Sequence, residues 1–429
     1  MTKSRKTAGL LPAAMAIVMV LILTMKGCSR TAQTAPAPPK IASRSSAAGF
    51  LVSKAEESGG FIGIPVQREK ASEYAYLYDN ALAVIIMSRA GEQATAEMIA
   101  DAIVFAQSHD RTFKDGRLRN VYIAGDPRSD SGRTLTPGNV TIRLPGFWED
   151  GKWQEELFTV STSTGNMAWA VTALCAAAEN ASDEKRTEYL NAAMNAADFV
   201  LTLKSDNGGF NAGYEGWDDD QTMVGYQSTE HNITLAYAFD ALSAAVAGSD
   251  PAKAETYADA AKYAKDFVFS MYDKKLHCFY TGTKADGKTV SDGVIPLDTN
   301  SLSILAFGEE LENTFQIVSF VEDRMAVGDG FDFSAGDLDG IWNEGTAQMA
   351  VCYKILENTE KYETVMAYLK TQTNADGCIP AADRDGVSTG FVIDGTDTLW
   401  EYDNTLSIGA TCWLAFAQLG INPFGAVSE

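Results

Sequence analysis

Six segments of this chain begin alike, and this repeated feature constrains the fold more than any other. Each has a short polar cluster of Asp, Glu, Thr or Asn, followed by a helical run that is apolar almost all round. The segment at residues 228–245, for example, reads STEHNITLAYAFDALSAA. A helix without a polar face is buried on all sides. The clusters recur every 45 to 90 residues or so, as expected of an internal repeat with variable loops. They lie around Asp79, Thr164, Glu230, Asp298, Glu344 and Asp403.

Helices of a second kind lie between these segments. Their apolar residues recur at i, i+3, i+4 and i+7 with charged residues elsewhere, which is typical of an amphipathic surface helix. They occupy residues 90–107, 183–204, 251–272, 312–325 and 361–372. The alternation of buried and amphipathic helices predicts an all-α protein in which an inner ring of helices is wrapped by an outer ring, with only minor short β segments in the loops.

This arrangement resembles the (α/α)6 toroid, or six-hairpin barrel, of the six-hairpin glycosidase superfamily. The motifs YLYDNALAV, STEHNI, WNEGTAQ and YDNTLSIGA are similar to those of secreted bacterial glycoside-hydrolase-like proteins with this fold. The resemblance covers roughly residues 74–419, and we expect one toroid domain over residues 48–429. No sequence after Leu419 can form the last outer helix, so the segment Ser46–Gly60 is predicted to close the ring.

The N-terminus reads as a targeting segment over residues 1–28. A basic start precedes an apolar run from residue 8 to residue 25, and Cys28 follows in LTMKGCS. This stretch resembles a bacterial lipoprotein box, which implies lipidation of Cys28, although Lys26 departs from the usual small or apolar residue. An uncleaved membrane anchor is the alternative. Residues 29–47 read as a Pro/Ala/Ser-rich tether. Both interpretations predict an exported protein that is anchored at the bacterial cell surface.

The formal net charge of −23 limits the possible partners. Nucleic acids and anionic membrane surfaces would repel such a chain, so contact with the membrane is expected only through the N-terminal anchor. A neutral oligo- or polysaccharide is the better partner. The cysteine spacing predicts neither a disulfide framework nor a metal site, and no cofactor is predicted. Calcium is a secondary possibility in GDGFDFSAGDLDG, which lacks the EF-hand ligand order. Its four aspartates are Asp329, Asp332, Asp337 and Asp339.

In a toroid of this kind the inner helices all begin at one end, so their polar clusters converge on one funnel. The unpaired N–H groups and partial positive charge of helix N-termini favour carboxylates there. Ordinary helix capping explains the same residue types without any function. Glu230 and Glu344 go beyond it, because other residues before them can serve as caps. Glycoside cleavage needs two carboxyl groups, and we predict Glu230 and Glu344 for these roles, with Asp79 and Asp403 next.

Other residues near the funnel are predicted to bind substrate. Aromatic rings can stack on the apolar faces of sugars, while carboxylates, amides and imidazoles bond to hydroxyls. A Trp that simply packs beneath its loop is the alternative for each ring. The predicted set is His231, Asn232, Asp298, Trp217, Trp342, Trp400, Tyr78 and Tyr402. Sugar epimerases of this architecture use several histidines, whereas this chain has only His109, His231 and His277, of which the first and last lie away from the funnel.

The sequence therefore favours an exported, cell-surface glycan-active protein that acts as a glycoside hydrolase through paired carboxylates. The main alternative is a catalytically inactive glycan-binding or exopolysaccharide-handling lipoprotein on the same fold. A polysaccharide lyase is a weaker option, because it would need a cation for the uronate.

Overall fold

Helices dominate the computed structural model, which describes residues 46–66, 73–129, 141–142, 144–308, 310–393 and 396–425. The predicted targeting segment, Cys28 and nearly all of the predicted tether lie outside the described residues. The 13 helices of the described residues are α1 Ala47–Ser58, α2 Leu77–Arg89, α3 Gln93–Ser108, α4 Leu157–Val160, α5 Thr164–Glu179, α6 Asp183–Leu201, α7 Thr229–Val246, α8 Pro251–Ser270, α9 Leu297–Phe307, α10 Thr314–Met325, α11 Asn343–Ile355, α12 Thr359–Gln372 and α13 Ile408–Leu419.

Six of these helices form a closed inner ring. The order around the ring is α2, α5, α7, α9, α11 and α13, and α13 packs back on α2. One outer helix packs on each of them: α3, α6, α8, α10, α12 and, on α13, α1. Burial follows the sequence pattern, since ten consecutive residues of α13 are buried, whereas α12 buries only Val365 and Leu369. The predicted (α/α)6 toroid is confirmed.

Short antiparallel strands occupy the connections between helices. They form the pairs β1–β2, β3–β4, β8–β9, β10–β11, β12–β13, β14–β17 and β15–β16 and the three-stranded sheet β5–β6–β7. Their bounds are β1 Tyr74–Tyr76, β2 Val121–Ile123, β3 Phe147–Glu149, β4 Lys152–Gln154, β5 Thr162–Ser163, β6 Gly213–Glu215, β7 Thr222–Val224, β8 Tyr272–Asp273, β9 Cys278–Phe279, β10 Gly282–Thr283, β11 Val290–Ser291, β12 Ala326–Val327, β13 Gly330–Phe331, β14 Ile379–Pro380, β15 Val387–Val392, β16 Leu399–Tyr402 and β17 Leu406–Ser407. In the described part of the chain, no helix is long and apolar enough to cross a membrane.

One contact fixes the first turn of every inner helix. The side chain four residues after the N-cap accepts a hydrogen bond from the backbone N–H of an apolar residue in the preceding connection. The six pairs are Asn80 with Ile62, Met167 with Leu118, Asn232 with Phe210, Asn300 with Phe279, Thr346 with Phe331 and Thr411 with Ile379. Because the same register recurs six times, residues at equivalent positions of the six helices lie at the same depth.

Helix α1 closes the outer ring, as predicted for the segment Ser46–Gly60. Its first residue, Ala47, donates its N–H to Oε1 of Gln418 at 3.3 Å, near the C-terminal end of α13. The chain then reaches Ile62, which bonds to the first turn of α2 at the opposite end of the barrel. Helix α1 thus runs antiparallel to the inner helices and begins at the end where they finish.

The residues after α13 plug that far end of the barrel. The Phe424 ring packs against Trp169 and Tyr237, with both ring centroids 5.3 Å away. Asn422 adds hydrogen bonds to two further inner helices, through Arg89 and Leu305. Four inner helices are therefore joined by one short segment.

Replacing Phe424 by Ala should lower the free energy of unfolding by about 3–5 kcal/mol, because a buried ring would leave a cavity that its rigid neighbours cannot fill. Chemical denaturation of the purified protein measures this. Phe315→Ala is the matched control, because Phe315 lies exposed on α10 and its loss should change stability little. Equal losses in the two variants would contradict a plugging role for Phe424.

Candidate active site

Most of the polar side chains at the end of the barrel where the inner helices begin come from one position, the second residue after each N-cap. The N-caps of α2, α7 and α11, for example, are Tyr76, Ser228 and Trp342. The six second positions are Tyr78, Gly165, Glu230, Asp298, Glu344 and Gly409. Two further side chains, Asp79 and His231, come from the next position. We call the six residues with side chains, Tyr78, Asp79, Glu230, His231, Asp298 and Glu344, the floor.

Tyr78 fixes the orientation of Glu344. Its hydroxyl donates to Glu344 Oε1 at 2.6 Å and accepts a hydrogen bond from Trp413 Nε1 at 2.8 Å. The Tyr78 ring also meets Trp169 edge to face, with centroids 5.8 Å apart. Because tryptophans from both neighbouring helices enclose Tyr78, the hydroxyl is held in place for its carboxylate.

Gly409 leaves the space that two carboxylates occupy. A Cβ at this position would lie 2.8 Å from Glu344 Oε2 and 3.0 Å from Asp79 Oδ1. These oxygens are therefore no more than about 6 Å apart, a range in which the charge of Asp79 raises the pKa of Glu344. The Gly409 N–H bonds to Asp79 and partly offsets the rise that burial gives to the pKa of Asp79.

All four floor carboxyls have pKa values well above the usual range. Burial is the main cause throughout, and it raises the pKa of Asp79, Glu230 and Asp298 to about 7. The pKa of Glu344 rises to about 8, because the three other carboxylates add their repulsion to burial and outweigh the Tyr78 hydrogen bond. The side chain of Glu230 nevertheless remains 23% exposed. The carboxyls therefore lie deep in the protein but can be reached from solvent.

His231 is an uncharged neighbour of Glu230. Its Nε2 lies 3.5 Å from Glu230 Oε2 and 3.4 Å from Ser163 Oγ, and its side chain is 16% exposed. Burial lowers its pKa to about 4. The ring fits because a Cβ on Gly165 would lie 2.4 Å from its Cδ2. His109, in contrast, ends the outer helix α3 and stacks on Phe105 of the same helix.

Two tryptophans beneath the floor were not predicted from the sequence. Trp169 lies one helical turn after Gly165, and Trp413 one turn after Gly409. Trp169 meets the Tyr78 ring edge to face, and Trp413 donates to the Tyr78 hydroxyl, so both indoles support the floor from below. The recurring pattern Gly-x-x-x-Trp, in GNMAW and GATCW, is the signal that could have identified them.

The structure places Asp403 apart from the other predicted catalytic residues. It lies in an exposed loop, five residues before α13 begins, where its Oδ1 accepts the N–H of Gly386 at 3.1 Å. The expectation that Asp403 opens the sixth inner helix was wrong, because Ser407 caps α13. Asp298, predicted only as a binding residue, joins Asp79, Glu230 and Glu344 at the floor.

The predicted binding residues divide into three groups. Tyr402 faces the floor, where burial and the charges of three carboxylates raise its pKa. Trp342 is only 3% exposed and stacks beneath Tyr402 at 5.7 Å, so it supports the site from behind. Asn232 is fully buried and spends its side-chain amide on backbone groups of Phe210 and Ser228.

Trp217 and Trp400 lie exposed on connections that precede inner helices. Trp217 is 49% exposed at the β6–β7 turn, and Trp400 is 53% exposed on β16. The Trp217 indole donates to the carbonyl of Glu155 at 3.2 Å. Trp148, which was not predicted, is also exposed, on the nearby β3–β4 hairpin. Such rings suit contacts with a ligand that extends beyond the floor.

Three of the four aspartates predicted as a calcium site converge. Ligand atoms of Asp332, Asp337 and Asp339 lie within 4.8 Å of one another, whereas Asp329 is not part of the group. The two oxygens of Asp332 accept backbone N–H groups of Phe333 and Asp339. Hydrogen bonds within the loop therefore account for the position of Asp332.

Comparisons with known proteins identify the fold. No family model matches the sequence, and no curated protein is similar to it. A glycosidase solved in complex with glucose aligns with 87% of this chain and 97% of its own, at a TM-score of 0.55 and 13% identity. An alpha-amylase from Clostridium perfringens aligns with 89% of this chain and 99% of its own, at a TM-score of 0.58 and 10% identity. Cellobiose 2-epimerase from Bacillus thermoamylovorans aligns with 86% of this chain and 95% of its own, at a TM-score of 0.57 and 11% identity. The chain has the (α/α)6 fold of six-hairpin glycosidases, as its motifs predicted.

Proposed function

We propose that this protein is a glycoside hydrolase in which Glu344 is the general acid and Glu230 is the second catalytic carboxylate. The observation that carries the proposal is the position of Glu344 among three other carboxyl groups. Burial, with their repulsion added, raises its pKa to about 8, so Glu344 keeps its proton at neutral pH. A general acid must be protonated before it can protonate the leaving oxygen.

The availability of these carboxyls supports catalysis over capping. The N-caps of α7, α9 and α11 are Ser228, Pro296 and Trp342, so Glu230, Asp298 and Glu344 are not used as caps. Glycoside hydrolysis requires a second carboxylate that activates water or attacks the sugar. Glu230 is 23% exposed and therefore reachable from solvent, which suits that role.

Both the structural neighbours and the residues at the floor support a carbohydrate as the ligand. One structural neighbour was solved with glucose, and another is a disaccharide epimerase. An epimerase that relies on several histidines is disfavoured here, because His231 is the one histidine of the floor. Asp79 and Asp298 can accept hydrogen bonds from sugar hydroxyls, and Tyr402 offers a ring beside them.

The test compares Glu230→Gln with Asp403→Asn in a soluble chain that starts at Thr31. A panel of bacterial and plant glycans, both neutral and amine-bearing, is assayed for both reducing-end release and binding. Glu230→Gln should lower release by at least about 10²-fold while binding persists, because the amide cannot act as a base. Asp403→Asn should stay within about twofold of the parent, because Asp403 is exposed and its carboxylate bonds to the backbone of its own loop region at Gly386.

Two outcomes would contradict the proposal. Binding without release by the parent chain would favour the catalytically inactive glycan-binding alternative. Loss of release in Asp403→Asn, with Glu230→Gln unaffected, would move the catalytic centre to the loop that contains Asp403.

A further inference from the structure

The floor has an unusual charge balance. Four carboxyls meet there, and among the described residues no Lys or Arg pairs with any of them; Glu230 contacts His231, which is uncharged. Some other carboxylates have a cationic partner, such as Asp110 with Arg119, Asp101 with Lys185 and Asp198 with Lys253. The floor is therefore a place where four neighbouring carboxyls share no cationic side chain of the described chain.

The floor carboxyls are not grouped as tightly as a three-ligand metal site. Within the described residues, three acidic, His or Cys ligand atoms come within 4.8 Å of one another only at Asp332, Asp337 and Asp339. A ligand that spans several of the floor carboxyls, such as a sugar ring with a charged substituent, meets them better.

An unpartnered oxygen at the floor points to the same kind of ligand. Asp298 Oδ1 is buried and has no hydrogen-bond donor within the described chain. An unpaired buried polar atom is costly. A ligand that carried a strong donor would satisfy this oxygen.

We propose that the sugar bound at the floor carries a protonated amine, so that the substrates are glycans with free amino groups rather than neutral ones. The proposal rests on the proposed function, because it assigns a substrate class to the same site. An ammonium group donates up to three hydrogen bonds and supplies the missing charge. An acetamido group at the same position would be neutral and bulkier.

The experiment measures binding of monosaccharide sets to the soluble chain by calorimetry or ligand-observed NMR at neutral pH and low salt. The sets are glucosamine, galactosamine and mannosamine, each with its N-acetyl and its hydroxyl counterpart. At least one amine should bind about tenfold or more tightly than both of its counterparts. Monosaccharides are chosen because they do not depend on the unknown linkage.

Asp298→Asn is the diagnostic variant, and Asp240→Asn is its control, because Asp240 is exposed on α7. Asp298→Asn should reduce affinity for the preferred amine about tenfold and change affinity for the neutral sugars much less, whereas Asp240→Asn should change neither. A correct folded state is checked by the circular dichroism and melting temperature of each variant.

The outcomes separate the two proposals. If amines bind no better than their counterparts, or Asp298→Asn weakens all three sugar types equally, the amine inference is wrong. Hydrolysis of neutral glycans in that case would leave the proposed hydrolase intact. Amine binding without hydrolysis of any glycan, including amine-bearing ones, would retain the ligand class and overturn the hydrolase.

Discussion

Glu344→Gln should reduce kcat by about 10³-fold or more, because the amide retains the shape of the side chain but has no acidic proton to give to the leaving oxygen. Steady-state kinetics on the best substrate from the glycan panel measure the loss. Binding of that substrate should change little. A kcat within tenfold of the parent would exclude Glu344 as the general acid.

The same variant should be more stable than the parent at alkaline pH. Because the folded pKa of Glu344 is raised to about 8, its ionised form disfavours the folded state. This penalty is absent below the unfolded pKa of about 4.3, grows as the pH rises and is complete above about 8. Gln removes it, so the melting temperatures should diverge towards pH 9 and converge towards pH 4. A variant less stable than the parent at every pH would show that the Tyr78 hydrogen bond outweighs the cost of ionisation.

Gly409→Ala should lower kcat by about 10²-fold. The new Cβ would lie 2.8 Å from Glu344 Oε2, 3.0 Å from Asp79 Oδ1 and 3.3 Å from Tyr78 Cε1. Because Trp169 and Trp413 enclose the Tyr78 ring, the two carboxyls would be displaced. A catalytic group displaced by roughly 1 Å can cost such a factor in rate.

Gly248→Ala provides the comparison for this substitution, because a Cβ at Gly248 would meet nothing within 4 Å. Kinetics and thermal melting of both variants should show a loss of rate in Gly409→Ala alone. Unchanged kinetics in Gly409→Ala would mean that the spacing of Glu344 and Asp79 is not critical for turnover.

The ring architecture could be predicted because buried and amphipathic helices differ in periodicity, which depends on local sequence alone. The start of the sixth inner helix could not be located in the same way. YDN at Tyr402–Asn404 repeats YDN at Tyr78–Asn80, but the first copy lies in α2 and the second follows strand β16. The difference arises because Thr411, rather than Asn404, makes the contact that fixes the first helical turn.

Exposure of individual rings was also beyond the sequence. Trp342 and Trp400 both precede polar clusters. Tyr402 nevertheless covers Trp342, whereas Trp400 stays exposed to solvent. Trp169 and Trp413 sit within apolar runs and look like ordinary core residues. Their place beneath the floor depends on contacts with Tyr78 from a third helix, which only the closed ring brings together.

The placement of α1 separates the start of the described chain from the carboxyl groups. Because this helix starts beside Gln418, at the plugged end, residue 46 lies at the side of the barrel opposite the floor. A label or support joined at residue 46 would therefore leave the opening to the floor clear.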